Sequence, residues 1–204
     1  GRSQLSAVVD AAAGPAFYDH DERWRLVRET RPSENRVVER AMDQVGNVYR
    51  SSDHSDRRYS RGSRLEEIEG VRFSHDADGN RIKRIETNGG EWSYRWNAAG
   101  MLAEVERPDG HRVRFEYDAL ARRTKKAVHV TTEGGSEQIV AETRFVWDGN
   151  TVLHELDFEN GATTWYWEPK TFTPVMKEHN GRRWSVASDH LGAPTEMYDE
   201  LGEL

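Results

Sequence analysis

The chain has 204 residues, a formal net charge of −7 and no cysteine, which excludes disulfides, thiolate metal sites and a cysteine nucleophile. Hydrophobic residues make up 35% and charged residues 32%, with a mean hydropathy of −0.91; that is too polar for a thick two-sided core and suits sheets with one wet face. Seven Trp, seven Tyr and six Phe run along the chain, which argues against disorder, and Arg interleaved with Glu and Asp leaves no basic stripe for nucleic acid.

In chain order, residues 1–17 predict a tail or a short helix. Leu5 to Ala13 is apolar and rich in small residues, but it is short and lacks the basic region of a secretory leader. No run of about 18 apolar residues occurs, so no helical membrane span is expected. Residues 18–50 carry weak repeats, with turns expected at Tyr18-Asp19 and at Asp43-Gln44-Val45-Gly46. Residues 51–63 are dense in Arg, Ser and Asp and predict a polar loop. Leu65 to Ile68 predicts a strand feeding a Glu69-Gly70 turn, with one helical turn as the alternative.

Residues 64–130 hold the clearest pattern, a repeat of 21 residues. Val71, Trp92 and Val113 are equivalent, as are Phe73, Tyr94 and Phe115, then His75, Trp96 and Tyr117, and finally Gly79, Gly100 and Ala121. Polar residues fill the positions between, Arg72, Ser93 and Arg114 among them. This alternation with period 2 is that of a half-buried strand. Each strand ends in an aromatic or His, then Asp76, Asn97 or Asp118, whose side chains bend the chain by bonding its backbone. Gly accepts the left-handed conformation that closes such a turn; Ala121 does not accept it cheaply, so the third turn is expected to differ. Midway turns at Asn88-Gly89-Gly90 and Pro108-Asp109-Gly110 make each unit two short strands and two turns.

Residues 131–204 continue as hairpins. Asn160-Gly161 and Asn180-Gly181 predict two turns between the aromatic-rich runs Thr163 to Trp167 and Trp184 to Ala187. Tyr198-Asp199-Glu200-Leu201-Gly202 is a well-formed last copy of the repeat turn.

The repeated Tyr-Asp-x-x-Gly turn resembles the Rhs/YD-repeat family, and the C-terminal landmarks strengthen the likeness. Phe145-Val146-Trp147-Asp148-Gly149-Asn150 looks like the strand and turn entering that family's core region. Tyr166-Trp167-Glu168-Pro169 and Phe172-Thr173-Pro174 look like the next landmark. Asp189-His190-Leu191-Gly192-Ala193-Pro194 is similar to its Asp-His-Leu-Gly-Thr-Pro tract, with Ala193 in place of Thr. The resemblance covers about Val71 to Leu204 well and Tyr18 to Asn47 thinly. It implies an all-β fold of antiparallel hairpin repeats, a section of a curving sheet that spirals into a hollow shell. In bacterial members that shell encloses a C-terminal toxin and is secreted by a type VI or related system. The family's self-cleaving aspartyl segment and its toxin lie downstream of the Asp-His-Leu-Gly tract, so the resemblance makes this sequence wall, without lock or cargo.

The implied partners are the rest of the parent polypeptide and its toxin, with self-association through open strand edges. No cofactor, metal or catalytic residue is expected. The structural turn residues are Asp76, Gly79, Asn97, Gly100, Asp118, Asp148, Gly149, Asp189, His190, Gly192, Asp199 and Gly202. Phe73, Trp92, Tyr94, Trp96, Phe115 and Tyr117 are expected to pack one sheet face or, in a hollow shell, to line it against the cargo.

Other readings fare worse. None of the eight His residues falls in a ligand spacing such as His-Glu-x-x-His, and His75 takes a slot that is aromatic in its sister repeats. Ser188, Asp189, His190 and Asp199 invite a hydrolytic reading, but successive strand residues point to opposite faces, so Ser188 and Asp189 diverge. Glu66-Glu67 reads as surface solvation rather than a glycosidase pair. Trp92, Tyr94 and Trp96 also permit an extracellular carbohydrate-binding or adhesion module.

Overall fold

The computed structural model describes residues 4–10, 14–189 and 191–204. Short alternating runs broken by Asp, Asn and Gly fold into strands; one 3-10 turn, Pro32–Glu34, is the only helix among the described residues. The chain forms two units, Gly1–Gly90 and Glu91–Leu204.

The first unit opens with β1 (Ala7–Asp10), β2 (Gly14–His20), β3 (Leu26–Arg31) and β4 (Arg36–Glu39), antiparallel neighbours in sequence order. Within the stretch expected to be a tail or helix, residues 7–10 and 14–17 are instead paired strands, with Ala7 opposite Phe17 and Asp10 opposite Gly14. Val8 and Val9 are β-branched strand formers, and Gly14, at φ 80, takes a backbone conformation open to glycine. A short ladder follows, β5 (Ala41–Met42) with β6 (Val48–Tyr49). Then β7 (Arg57–Ser60), β8 (Arg64–Ile68), β9 (Val71–His75) and β10 (Arg81–Ile85) pair in order. The Glu69-Gly70 turn lies where the sequence places it, between β8 and β9.

Two further expectations in this unit need correction. Tyr18 and Asp19 are not a turn: they lie within β2, opposite Glu29 and Arg28. The turn comes two residues later, at Asp21–Trp24, and Trp24 takes the glycine position at φ 67. Residues 51–63 are only partly loop. The Asp56 carboxylate accepts the Arg50 and Ser51 amides at 3.0 and 3.1 Å and the Ser51 hydroxyl at 2.9 Å. That gathers the polar residues into a compact bend and leaves Arg57–Ser60 to pair with β8.

The second unit comprises β11 (Glu91–Trp96), β12 (Leu102–Glu106), β13 (Arg112–Tyr117), β14 (Arg123–Thr131), β15 (Glu137–Asp148), β16 (Thr151–Asp157), β17 (Gly161–Trp167), β18 (Pro174–His179), β19 (Arg182–Ser188) and β20 (Pro194–Tyr198). Each strand pairs with the next. Alternation sorts the side chains by face. Trp92, Tyr94 and Trp96 share one face of β11; Val105 lies opposite Tyr94 and Val113, and Phe115 and Tyr117 follow Val113 along β13. The other face carries Arg95, Glu104 and Arg114 in one cross-strand row.

The core is thin. In this unit Val105, Ala127, Glu104 and Pro174 are buried, and no large side chain among the described residues is fully enclosed. Cohesion in such a layer comes from cross-strand pairs, each contributing roughly 0.2–1 kcal/mol, more than from a central core.

Candidate functional site: the inter-repeat link

For a chain built of repeats, the part that matters is what joins one repeat to the next. It begins with the turn. The Asp76 amide donates to the Asn80 carbonyl (3.0 Å), and the Gly79 amide donates back to the Asp76 carbonyl (3.2 Å). Asn97, Asp118, Asp189 and Asp199 make the same pair of bonds with the residues four and three positions on. In each of these four turns the side-chain oxygen also accepts two further amides, for Asp118 those of Leu120 (2.9 Å) and Arg122 (3.0 Å). Asp21 and Asp43 form two more copies in the first unit.

The residue after the left-handed position completes the turn, and sequence reasoning missed it. Arg25 and Arg122 clasp Asp21 and Asp118 at 2.7 Å. Asn47 and Asn80 donate side-chain amides to Asp43 and Asp76 at 2.7 and 3.0 Å. The signal was the recurrence of Arg or Asn immediately after four of the turns, with Met101, Ala193 and Glu203 standing there in the others. These contacts hold the Asp118 carboxyl below its ordinary value, chiefly through the Arg122 side chain, and that of Asp76 chiefly through Asn80. Ala121 does not alter its turn as expected. It enters the left-handed region at φ 61, and its amide still bonds Asp118; the Arg122 clasp accompanies this strain.

Asp148 and Gly149 form a different turn, a two-residue connection in which Asp148 opposes Thr151. The Asp189 and Gly192 turn has the common form, and His190 lies outside the described residues.

The second part of the link lies one residue before the turn. There the strand pairing slips by a β-bulge: Trp96 opposes Leu102, Tyr117 opposes Arg123, Trp147 opposes Val152, Trp167 opposes Pro174 and Ser188 opposes Pro194. A bulge disrupts the local ladder and leaves a backbone group in want of a partner. The next repeat supplies one. The Tyr117 hydroxyl donates to the Leu102 carbonyl at 2.9 Å. The Trp147 indole donates to Arg123 at 2.8 Å and the Trp167 indole to Val152 at 2.8 Å. The Ser188 hydroxyl reaches Pro174 at 3.5 Å, a longer bond. Each acceptor sits opposite the previous donor position, so the links form a chain from hairpin to hairpin. In the first unit the Tyr59 hydroxyl bonds the Val48 carbonyl at 2.8 Å.

Cations cover aromatic side chains within each unit. Arg81 stacks over Phe73 and Arg123 over Phe115, each at 4.5 Å, and Lys177 lies 5.6 and 5.9 Å from Trp165 and Trp184. The candidate aromatics Phe73, Trp92, Tyr94, Trp96, Phe115 and Tyr117 are all half-buried. On the opposite face Glu104 is held between Arg95 (3.1 Å) and Arg114 (2.7 Å), and Arg114 continues to Glu137 (2.7 Å). Burial pushes the Glu104 carboxyl up, but the Arg114 and Arg95 hydrogen bonds outweigh it and leave the value lowered.

The described members of the hydrolytic set, Ser188, Asp189 and Asp199, are engaged with backbone groups. Asp189 spends a carboxylate oxygen on the Leu191 and Ala193 amides, Asp199 does the same with Leu201 and Glu203, and Ser188 is turned to the Pro174 carbonyl.

Residues 15–204 match the family model described as Teneurin YD-shell. This chain belongs to the Teneurin YD-shell family. Relatives of this YD-shell chain include Double-stranded DNA deaminase toxin A of Burkholderia cenocepacia, 25% identical over 225 residues, spanning 100% of this chain and 16% of that protein. Toxin protein Tse5 of Pseudomonas aeruginosa is 30% identical over 180 residues, spanning 70% of this chain and 13% of that protein. Probable deoxyribonuclease RhsB of Dickeya dadantii is 25% identical over 152 residues, 69% of this chain and 10% of that protein. The YD-shell chain thus spans a sixth or less of the length of these relatives. Among solved structures, the TcdB2-TccC3-Cdc42 crystal structure matches with a TM-score of 0.38 and 12% identity over 95% of this chain and 12% of that one.

Proposed function

We propose that this YD-shell segment is part of the wall of a bacterial Rhs toxin, enclosing a toxin domain carried further along the same polypeptide. The hairpin-to-hairpin chain of aromatic donors and bulge carbonyls is the observation that carries this reading. It spends the recurring Tyr, Trp and Asp of the described repeats on joining strands and closing turns. Three relatives that share this segment are named as toxins or nucleases, and the segment is a small fraction of each, so their chemistry belongs to other parts of those chains. In this reading the segment itself does no chemistry. Its partners are the rest of the parent chain and the enclosed toxin, and the whole is exported from the bacterium by a type VI or related system. One face, the aromatic one, is offered to the cargo as a lining without specific pockets.

The test is protease protection of the parent polypeptide. The downstream domain is expected to survive digestion while residues 1–204 are present and to be cleaved once they are removed. Equal digestion in both forms would overturn the enclosing role. Binding of the isolated segment to a glycan array, lost in Trp96→Ala, would instead point to adhesion.

A further inference from the structure

The hairpin of β14 and β15 outruns its neighbours. Residues 131–140 are all exposed. On one flank, β13 opposes β14 only as far as His129. On the other, β16 opposes β15 from Thr143 onward, and the last bond on that side runs from the Phe158 amide to the Glu142 carbonyl at 2.9 Å. Glu137 to Ala141 therefore pairs on the β14 side alone, with Val140 as the extra residue of a bulge. A strand edge of this kind is a template for another strand, and proteins normally blunt it with Lys, Pro or inward charge. This edge reads Gln138-Ile139-Val140-Ala141, uncharged and without proline. Ile139 and Val140 are 46% and 39% exposed, and Phe158, at the foot of the edge, is 81% exposed. The one carboxylate, Glu137, is already neutralised by Arg112 at 2.9 Å and Arg114 at 2.7 Å.

We propose that this edge is an interface with a second copy of the chain, the two arms pairing antiparallel about Ile139. A two-fold axis there sets Ile139 against its own counterpart, Gln138 against Val140 and Glu137 against Ala141. No like charges meet, which is the condition cross-strand pairing imposes, and Ile139, a strong strand former, faces itself at the centre. The open length matches as well, because five residues are free before β16 begins. Beyond them each copy's turn, residues 132–136 with Gly134-Gly135 in its second half, arrives beside the other's Phe158. The contact is isologous and closes on itself, so it yields a dimer rather than a fibre.

Sedimentation velocity of the 204-residue chain, from micromolar to several hundred micromolar, tests this. The unaltered chain is expected to dimerise over that range. Ile139→Lys and Ile139→Glu each place like charges opposite one another and are expected to weaken the dimer by about tenfold or more, with circular dichroism unchanged. An equimolar mixture of the two variants is expected to restore association, since Lys then faces Glu. Met197→Lys, on β20, is expected to leave the dimer intact. A monomer throughout the range, a dimer untouched by Ile139→Lys, or a mixture of folded variants that fails to associate would each overturn the proposal. Loss of the dimer in Met197→Lys with Ile139→Lys unaffected would move the interface to the edge of β20 and overturn it too.

Discussion

The 21-residue repeats of β11–β14 and the hairpins of β15–β20 solve one problem with different turns. The first region bends through Asn97-x-x-Gly100 and Asp118-x-x-Ala121, each closed by a side-chain oxygen. The second uses a two-residue turn at Gly149-Asn150 and a longer one in which the Glu168 amide bonds the Thr173 carbonyl, and returns to the Asp form at Asp189. Up to Ser188 the residue before the turn faces a bulge, and from Tyr117 to Ser188 its polar tip reaches the carbonyl at the preceding bulge, whereas the Tyr198 hydroxyl bonds Glu196. The link is the constant and the turn is the variable. Tyr, Trp and Ser have little in common except a donor; that shared property decides who fills the slot.

That contrast is open to breaking. Trp147→Ala removes a half-buried ring and a link together, and is expected to destabilise the second unit by about 3 kcal/mol, read from urea unfolding. Gly149→Ala, at φ 54 with open space around it, is expected to cost only about 1 kcal/mol. If the glycine change costs more than the tryptophan change, the ranking of link over turn is wrong. Glu104→Ala is expected to cost about 2 kcal/mol, since it strips charged hydrogen bonds from Arg95 and Arg114.

The sign of the pH dependence follows from the same carboxylate. Its folded value is lowered, so its contribution is complete above the ordinary Glu range and is lost as pH falls through the lowered value. Thermal melts from neutral to acid pH are expected to show a shallower acid limb in Glu104→Gln than in the unaltered chain. Tyr117→Phe isolates the link itself: only the hydroxyl goes, leaving the Leu102 carbonyl unanswered, at an expected cost of about 1 kcal/mol. An unchanged unfolding midpoint would mean that water replaces the hydroxyl without loss. The smallest effect is a gain. Ala121→Gly relieves the left-handed strain but adds freedom to the unfolded chain, for a net stabilisation of about 0.5 kcal/mol. A loss of stability there would show that the Arg122 clasp, not the backbone, sets that turn.

Much of this was legible in the sequence because period-2 alternation and Asx-Gly turns are local signals. The strands from Val71 onward, the hairpins at Asn160-Gly161 and Asn180-Gly181 and the Glu69-Gly70 turn all followed from them. What stayed hidden depended on partners far along the chain. Trp24 in a glycine position disguised the Asp21 turn, and Asp19 two residues earlier drew attention away from it. Asp56, gathering amides from Arg50 and Ser51, made order out of a stretch whose composition says loop. The bulges were invisible because one extra residue in a short strand leaves the apolar pattern intact. The donor role of Tyr117, Trp147 and Trp167 was masked by their hydrophobicity, which accounts for the same residue types at the same positions.

The link spans little sequence: donor and acceptor are 14 to 24 residues apart from Tyr117 to Ser188. Contacts this local close cheaply and quickly. Each hairpin meets its partner almost as soon as it is made, so the wall can assemble behind a ribosome, one course laid on the last, without waiting for a distant segment. Taken in reverse, removing the final course opens the edge of β18 and the Pro174 carbonyl and leaves every earlier joint closed.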